Sequence, residues 1–103
     1  MEEDVVYINR DNTVDLILKA DGAAYDLSST TRMVLKFSSY TVDSETSADA
    51  FDWSSETTGK LLIALGGEEI EAGRYLAHLI VYDAINTNGI VWTSFFLEVH
   101  TDI

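Results

Sequence analysis

The sequence predicts an all-β fold: an immunoglobulin-like antiparallel β-sandwich of seven to eight strands, with residues 1–103 forming a single domain. Three observations predict it. Apolar and polar residues alternate over short stretches, the period of a half-buried strand. Turns of all kinds recur about every 8–12 residues, as sandwiches require, and the pairs Asp21-Gly22, Gly66-Gly67 and Asn88-Gly89 are among them. No stretch carries the longer apolar period of an extended helix.

Each element follows from its residues. Val5-Val6-Tyr7-Ile8 is a short apolar opening strand, broken by Asn9-Arg10-Asp11-Asn12. Residues 13–20 alternate, with Val14, Leu16, Leu18 and Ala20 on one face and Asp15, Ile17 and Lys19 on the other. Asp21-Gly22 turns the chain, and Leu27 is the one apolar anchor of the connection that follows. Residues 31–38 alternate again, with Met33, Leu35 and Phe37 inward. Residues 39–50 are polar and acidic, which predicts a long mobile loop. A short strand over 50–53 and a turn over 54–59 lead to a strand at 60–65, whose Leu61 and Ile63 face the core. Residues 68–72 have room for one helical turn. Two long strands, 74–83 and 90–100, close the fold through Asn86-Thr87-Asn88-Gly89, whose Asn-Gly pair is a strong hairpin signal. Tyr75, Leu79, Val81, Phe95, Leu97 and Val99 complete the predicted core.

Charge and composition exclude several functions. Eighteen acidic against six basic residues give a net charge of -12. Such a chain repels phosphate backbones and anionic bilayers, so neither a nucleic acid nor a membrane is expected as partner. Cysteine is absent, which removes disulfides, thiol nucleophiles and thiolate metal sites. Met1-Glu2-Glu3-Asp4 is acidic, the opposite of a secretory leader. The longest apolar run, residues 75–82, contains His78 and is too short to span a bilayer.

No constellation for catalysis emerges, and no enzyme activity, cofactor or metal is expected. His78 and His100 share no ligand spacing. The acids Asp43, Glu45, Asp49 and Asp52 invite comparison with a calcium loop, but counting from Asp43 places Ala48 and Ser54 where the loop needs Gly and Glu. A looser ion site built from several loops stays open, beside the plainer reading of a solvated acidic loop. No serine has a credible His and acid partner. Tyr40, Phe51 and Trp53 lie on or near this loop. Exposed, they would stack on sugar; on the plainer reading, Phe51 and Trp53 cap the end of the core.

A more specific signal is Glu71-Ala72-Gly73-Arg74-Tyr75-Leu76-Ala77. Its spacing is that of a tyrosine corner, in which a Tyr near the start of the sixth strand of an immunoglobulin-type sandwich bonds back to the upstream backbone. Ala77 stands where antibody domains carry their second Cys, and Met33-Val34-Leu35 contains no Trp. The kinship predicted is therefore with the wider immunoglobulin-like architecture.

The order of Asp21-Gly22, Asp26-Leu27-Ser28, a strand, an acidic loop, Gly73-Arg74-Tyr75, a strand ending at Asp83, Asn88-Gly89 and Phe95-Phe96-Leu97-Glu98-Val99 resembles the amino-terminal immunoglobulin-like domain of phage baseplate upper proteins and related small phage tail and virion proteins. The resemblance runs over roughly residues 6–99. It implies a non-enzymatic structural protein of a phage virion, in the tail, the baseplate or on the capsid surface, made in the cytoplasm of a bacterial host. Its partners would be other virion proteins or copies of itself. A carbohydrate- or host-surface-binding module is the alternative.

The two long strands carry the candidate interface. With Tyr75, Ala77, Leu79 and Val81 inward, Leu76, His78, Ile80 and Tyr82 point outward. With Phe95, Leu97 and Val99 inward, continuous alternation sends Ile90, Trp92 and Phe96 outward as well. A solvated sheet face is normally polar, and an apolar one marks an interaction surface. These seven residues are the predicted protein interface, with Trp92 and Tyr82 as anchors, unless the 39–50 loop folds back over them.

Overall fold

The alternating segments pair into two main sheets and a small ribbon. The computed structural model describes residues 3–54 and 56–102. It contains ten strand segments: β1 (Glu3–Tyr7), β2 (Thr13–Ile17), β3 (Lys19–Ala20), β4 (Ala23–Ala24), β5 (Thr30–Phe37), β6 (Tyr40–Asp43), β7 (Phe51–Asp52), β8 (Lys60–Ala64), β9 (Gly73–Asp83) and β10 (Ile90–His100). Two single 3-10 turns, Ala48–Ala50 and Glu56–Thr58, are the helical content among the described residues. The fold is all-β and of the sandwich class. A five-stranded sheet in the order β1-β10-β9-β5-β6 faces a three-stranded sheet in the order β2-β8-β7, while β3 and β4 form a two-stranded ribbon.

The core lies between the two sheets. The residues expected inward are buried except Ala20, which is exposed, and Tyr75, which is half-buried at the end of the sandwich. Val6, Leu27, Leu65, Ile70 and Phe51 add to it from the edges and connections. Leu35 sits at its centre, fully enclosed and opposite Leu79 on β9.

Four expectations need correction. The pairing is not purely antiparallel: β1 runs parallel to β10, with Val6 opposite Val99. The strand expected over 13–20 is broken at Leu18: its N–H still donates to Gly59 at 2.8 Å in the β2–β8 register, but its carbonyl leaves that ladder and accepts from the N–H of Tyr25 at 2.9 Å. Lys19 and Ala20 then pair with Ala24 and Ala23 across Asp21-Gly22, both in the left-handed region, and Ala20 is exposed rather than inward. Residues 68–72 form no helix. Residues 39–50 are not a long open loop: Phe37 and Tyr40 close a two-residue hairpin through Ser38-Ser39, and Val42 is buried opposite Leu35. Ser38 takes a positive φ of 54° there, a turn made without the Gly or Asn that usually signals one.

Beyond that hairpin the acids are held locally. The Arg32 guanidinium forms a two-pronged ion pair with Asp43, its Nε donating to Oδ1 at 3.0 Å and its terminal nitrogen contacting Oδ2, and Nε also lies 3.1 Å from Glu45 Oε1. Hydrogen bonding to Arg32 holds the Asp43 carboxyl below its ordinary range, against the opposing effect of partial burial. Asp26, Asp52 and Asp83 are lowered chiefly by backbone N–H donors two or three residues on, at Ser28, Ser54 and Asn86.

Candidate functional site

The outward side of the five-stranded sheet is built by register. Residues directly opposite one another across a strand pair share a face. Phe96 lies opposite Leu76, Ser94 opposite His78, and Val34 and Arg32 of β5 lie opposite Ile80 and Tyr82. Five of the seven predicted residues, Leu76, His78, Ile80, Tyr82 and Phe96, are thereby brought onto one surface by the middle of the sheet.

Trp92 does not join them. A bulge interrupts the β9–β10 ladder between Val91 and Thr93, and Trp92 is the extra residue. One unpaired residue reverses the alternation on its far side. Val91, 61% exposed, takes the outward place opposite Ile80, and Trp92 packs against the core with its ring 4.6 Å from that of Tyr25. Ile90, opposite Val81, follows the same reversal and sits exposed at the strand end. Alternation counted continuously along β10 could not reveal this, because a bulge leaves no mark in the apolar pattern.

Sequence reasoning also missed how this face is covered. Arg32 lies over the Tyr82 ring at 4.8 Å, and Arg74 over the Phe96 ring at 4.2 Å. Each guanidinium shields an aromatic face, and that of Arg32 does so with its edge held by Asp43 and Glu45. Gly89 of the hairpin closes over Ile80 and Tyr82 so tightly that a Cβ there would fall 2.5 Å from Ile80 Cγ2. His78 Nδ1 and Ser94 Oγ are hydrogen-bonded at 2.6 Å across the strand pair. At the β1 edge His100 stacks on Tyr7 and pairs with Glu98 at 2.9 Å. The result is an amphipathic face: Leu76, Val91 and the rim of Ile80 are open, and the rings are half-covered. The 39–50 segment does not fold over it; its first residues extend the sheet as β6.

The remaining candidates resolve differently. Phe51 is buried. Tyr40 is engaged with Phe37 and Tyr75, ring centroids 5.4 and 5.7 Å away, and Trp53 packs partly on the core. Tyr40 thus joins Tyr75 at the end of the sandwich, while Phe51 and Trp53 pack into and against the core. Among the described residues no group of three or more His, Asp or Glu is placed to hold a metal ion.

At the same end the Tyr75 hydroxyl donates to the carbonyl of Glu71 at 2.8 Å, the bond expected of the corner. The N–H of Glu71 donates to the Tyr40 hydroxyl at 3.1 Å, so two tyrosines hold both backbone polar groups of one residue. Burial is the main cause that raises the Tyr75 hydroxyl above its ordinary value, with Tyr40 and Glu71 adding to it. No protein-family model, no curated protein and no solved structure matches the chain.

Proposed function

We propose that this chain is a non-enzymatic structural protein of a phage virion, an immunoglobulin-like module that acts by protein–protein assembly through the outward face of its five-stranded sheet. The partners are other virion proteins or copies of itself, in the tail, the baseplate or on the capsid surface. The observation that carries this reading is that face: Leu76 and Val91 are open to solvent beside the half-covered Ile80, Tyr82 and Phe96, at the centre of the larger sheet. Exposed apolar residues grouped on one regular surface serve recognition, whereas scattered ones need no explanation.

Two features support the immunoglobulin-like part. The Tyr75–Glu71 bond has the donor, acceptor and position of a tyrosine corner. The sheet orders also correspond: β2-β8-β7 runs as strands B, E and D, and β10-β9-β5-β6 as G, F, C and C′. The departures from antibody domains are Ala77 at the second Cys position and Met33, Val34 and Leu35 on the strand that would carry Trp.

The test pairs composition with assembly. Mass spectrometry of particles purified from the lysed bacterial host is expected to find the chain in stoichiometric amount. The double variant Leu76→Glu, Ile80→Lys is expected to keep its fold by circular dichroism and to be lost from particles. A chain absent from purified particles, or a double variant incorporated like the wild type, would overturn the proposal.

A further inference from the structure

A second surface, separate from the outward face, lies where the sandwich opens sideways. Along one side of β10, β1 pairs with Phe96 to His100 only. Among the described residues no strand pairs with that side of Ile90 to Thr93. Facing this free edge is β2, the outer strand of its own sheet, bonded among the described residues to β8 alone. An open groove runs between the two edges, lined by residues 15–19 on one wall and by Trp92 and Thr93 on the other. Ile17 is among the lining residues and is 60% exposed.

We propose that this groove is a strand-addition site. Its occupant is an extended segment of a partner protein, apolar at alternate positions and neutral or basic between them. The backbone argument comes first. An edge strand presents N–H and C=O groups that water satisfies in the free protein and a new strand satisfies in a complex. The slot beside Ile90 to Thr93 is collinear with β1, so an incoming segment continues a strand line that the fold already uses.

The side-chain argument follows from the bulge. Bulges often protect an edge by twisting it away, but they also occur beside sites where they re-aim a side chain. Here the bulge brings the Trp92 ring against Tyr25 and makes it a groove wall. That gives every second residue of an added strand an apolar surface to meet. No charge on β10 guards the edge, since residues 90–97 are uncharged throughout. At the rim Asp15 and Lys19 balance, so the -12 of the whole chain decides the sign: acidic segments are repelled and basic ones steered in.

The probe is a capped heptapeptide, Val-Lys-Val-Lys-Val-Thr-Val, titrated into a Trp53→Phe protein whose emission then reports Trp92 alone. A saturable blue shift is expected, and amide shifts in the wild-type protein are expected at residues 15–19 and 90–93. Ile17→Lys is expected to weaken binding by about tenfold or more. Replacing both lysines of the peptide by Glu is expected to do the same, and Leu76→Glu, Ile80→Lys to change nothing. The absence of a saturable response up to about 1 mM peptide would overturn the proposal. So would a response unaffected by Ile17→Lys, or a Trp92 shift that appears on concentrating the protein alone, which would assign the groove to a second copy. If Trp53→Phe unfolds the chain, the wild-type amide map decides.

Discussion

The two faces of the five-stranded sheet carry similar side chains and live in different surroundings. Inward, Met33, Leu35, Ala77, Leu79 and Leu97 are wholly enclosed. Outward, Leu76, Ile80, Tyr82, Val91 and Phe96 are open or half-covered, two of the rings lying beneath arginines. Apolar content alone therefore does not make a core. A core requires an opposing layer, and the inner face has the three-stranded sheet where the outer has its own cationic side chains and a hairpin turn. Dressing rings with guanidinium groups lowers the exposed apolar area without making the surface inert, since those groups can be shared with a partner.

Substitutions can break or sharpen this contrast. The largest effect is expected inside. Leu35→Ala removes enclosed methyls and leaves a cavity, and should cost about 2–5 kcal/mol in chemical denaturation. A loss comparable to that of an outward residue such as Leu76→Ala would erase the distinction between the faces. Next is the turn that covers the outer face. Gly89 has φ 81° and no room for a Cβ beside Ile80 and Tyr82, so Gly89→Ala should cost about 1–3 kcal/mol and expose both side chains. Raised binding of a hydrophobic dye by the still-folded variant would register that exposure.

A smaller effect is expected at the end of the sandwich. Tyr75→Phe keeps the ring among Phe37 and Tyr40 but removes the donor to Glu71, and should cost about 1 kcal/mol. An unchanged denaturation midpoint would show that water replaces the corner bond without loss.

The smallest is the Arg32–Asp43 pair on the outer rim. Asp43 is depressed in the folded state, so its contribution is fully present above its unfolded value, about pH 3.9, and is lost as pH falls through the lower folded value. Asp43→Asn should therefore be less stable than wild type at pH 7, with the difference shrinking below about pH 4. A gap that stays constant down to acid unfolding would show that the pair adds nothing beyond shape.

Much of the fold was legible because burial imposes period two on a strand with one wet face. Met33, Leu35 and Phe37, or Phe95, Leu97 and Val99, declare their shared side by spacing alone. The Tyr75–Glu71 bond was legible too, since its donor and acceptor are four residues apart and belong to local chain geometry. The β5–β6 hairpin was not, because Ser38-Ser39 carries no turn residue of the usual kind and Val42 is a single apolar residue among polar neighbours. Of the candidate site, five residues were legible by alternation, and Trp92 and Ile90, at and beyond the bulge, were not.

The local pattern of this chain by itself determined that the molecule is built of strands, where most of them run, which residues face its core and where Tyr75 ties the chain to Glu71. These depend on periodicity, turn chemistry and contacts of short range. Only the tertiary structure decided the parallel docking of β1 on β10, the bulge that withdraws Trp92 and presents Val91, the break at Leu18 that turns the chain into the β3–β4 ribbon, and the arginines laid over Tyr82 and Phe96. Each of these joins residues far apart in the chain, or trades one ladder bond for another. The free energy that selects among such choices belongs to the packed whole and leaves no trace in the spacing of neighbours.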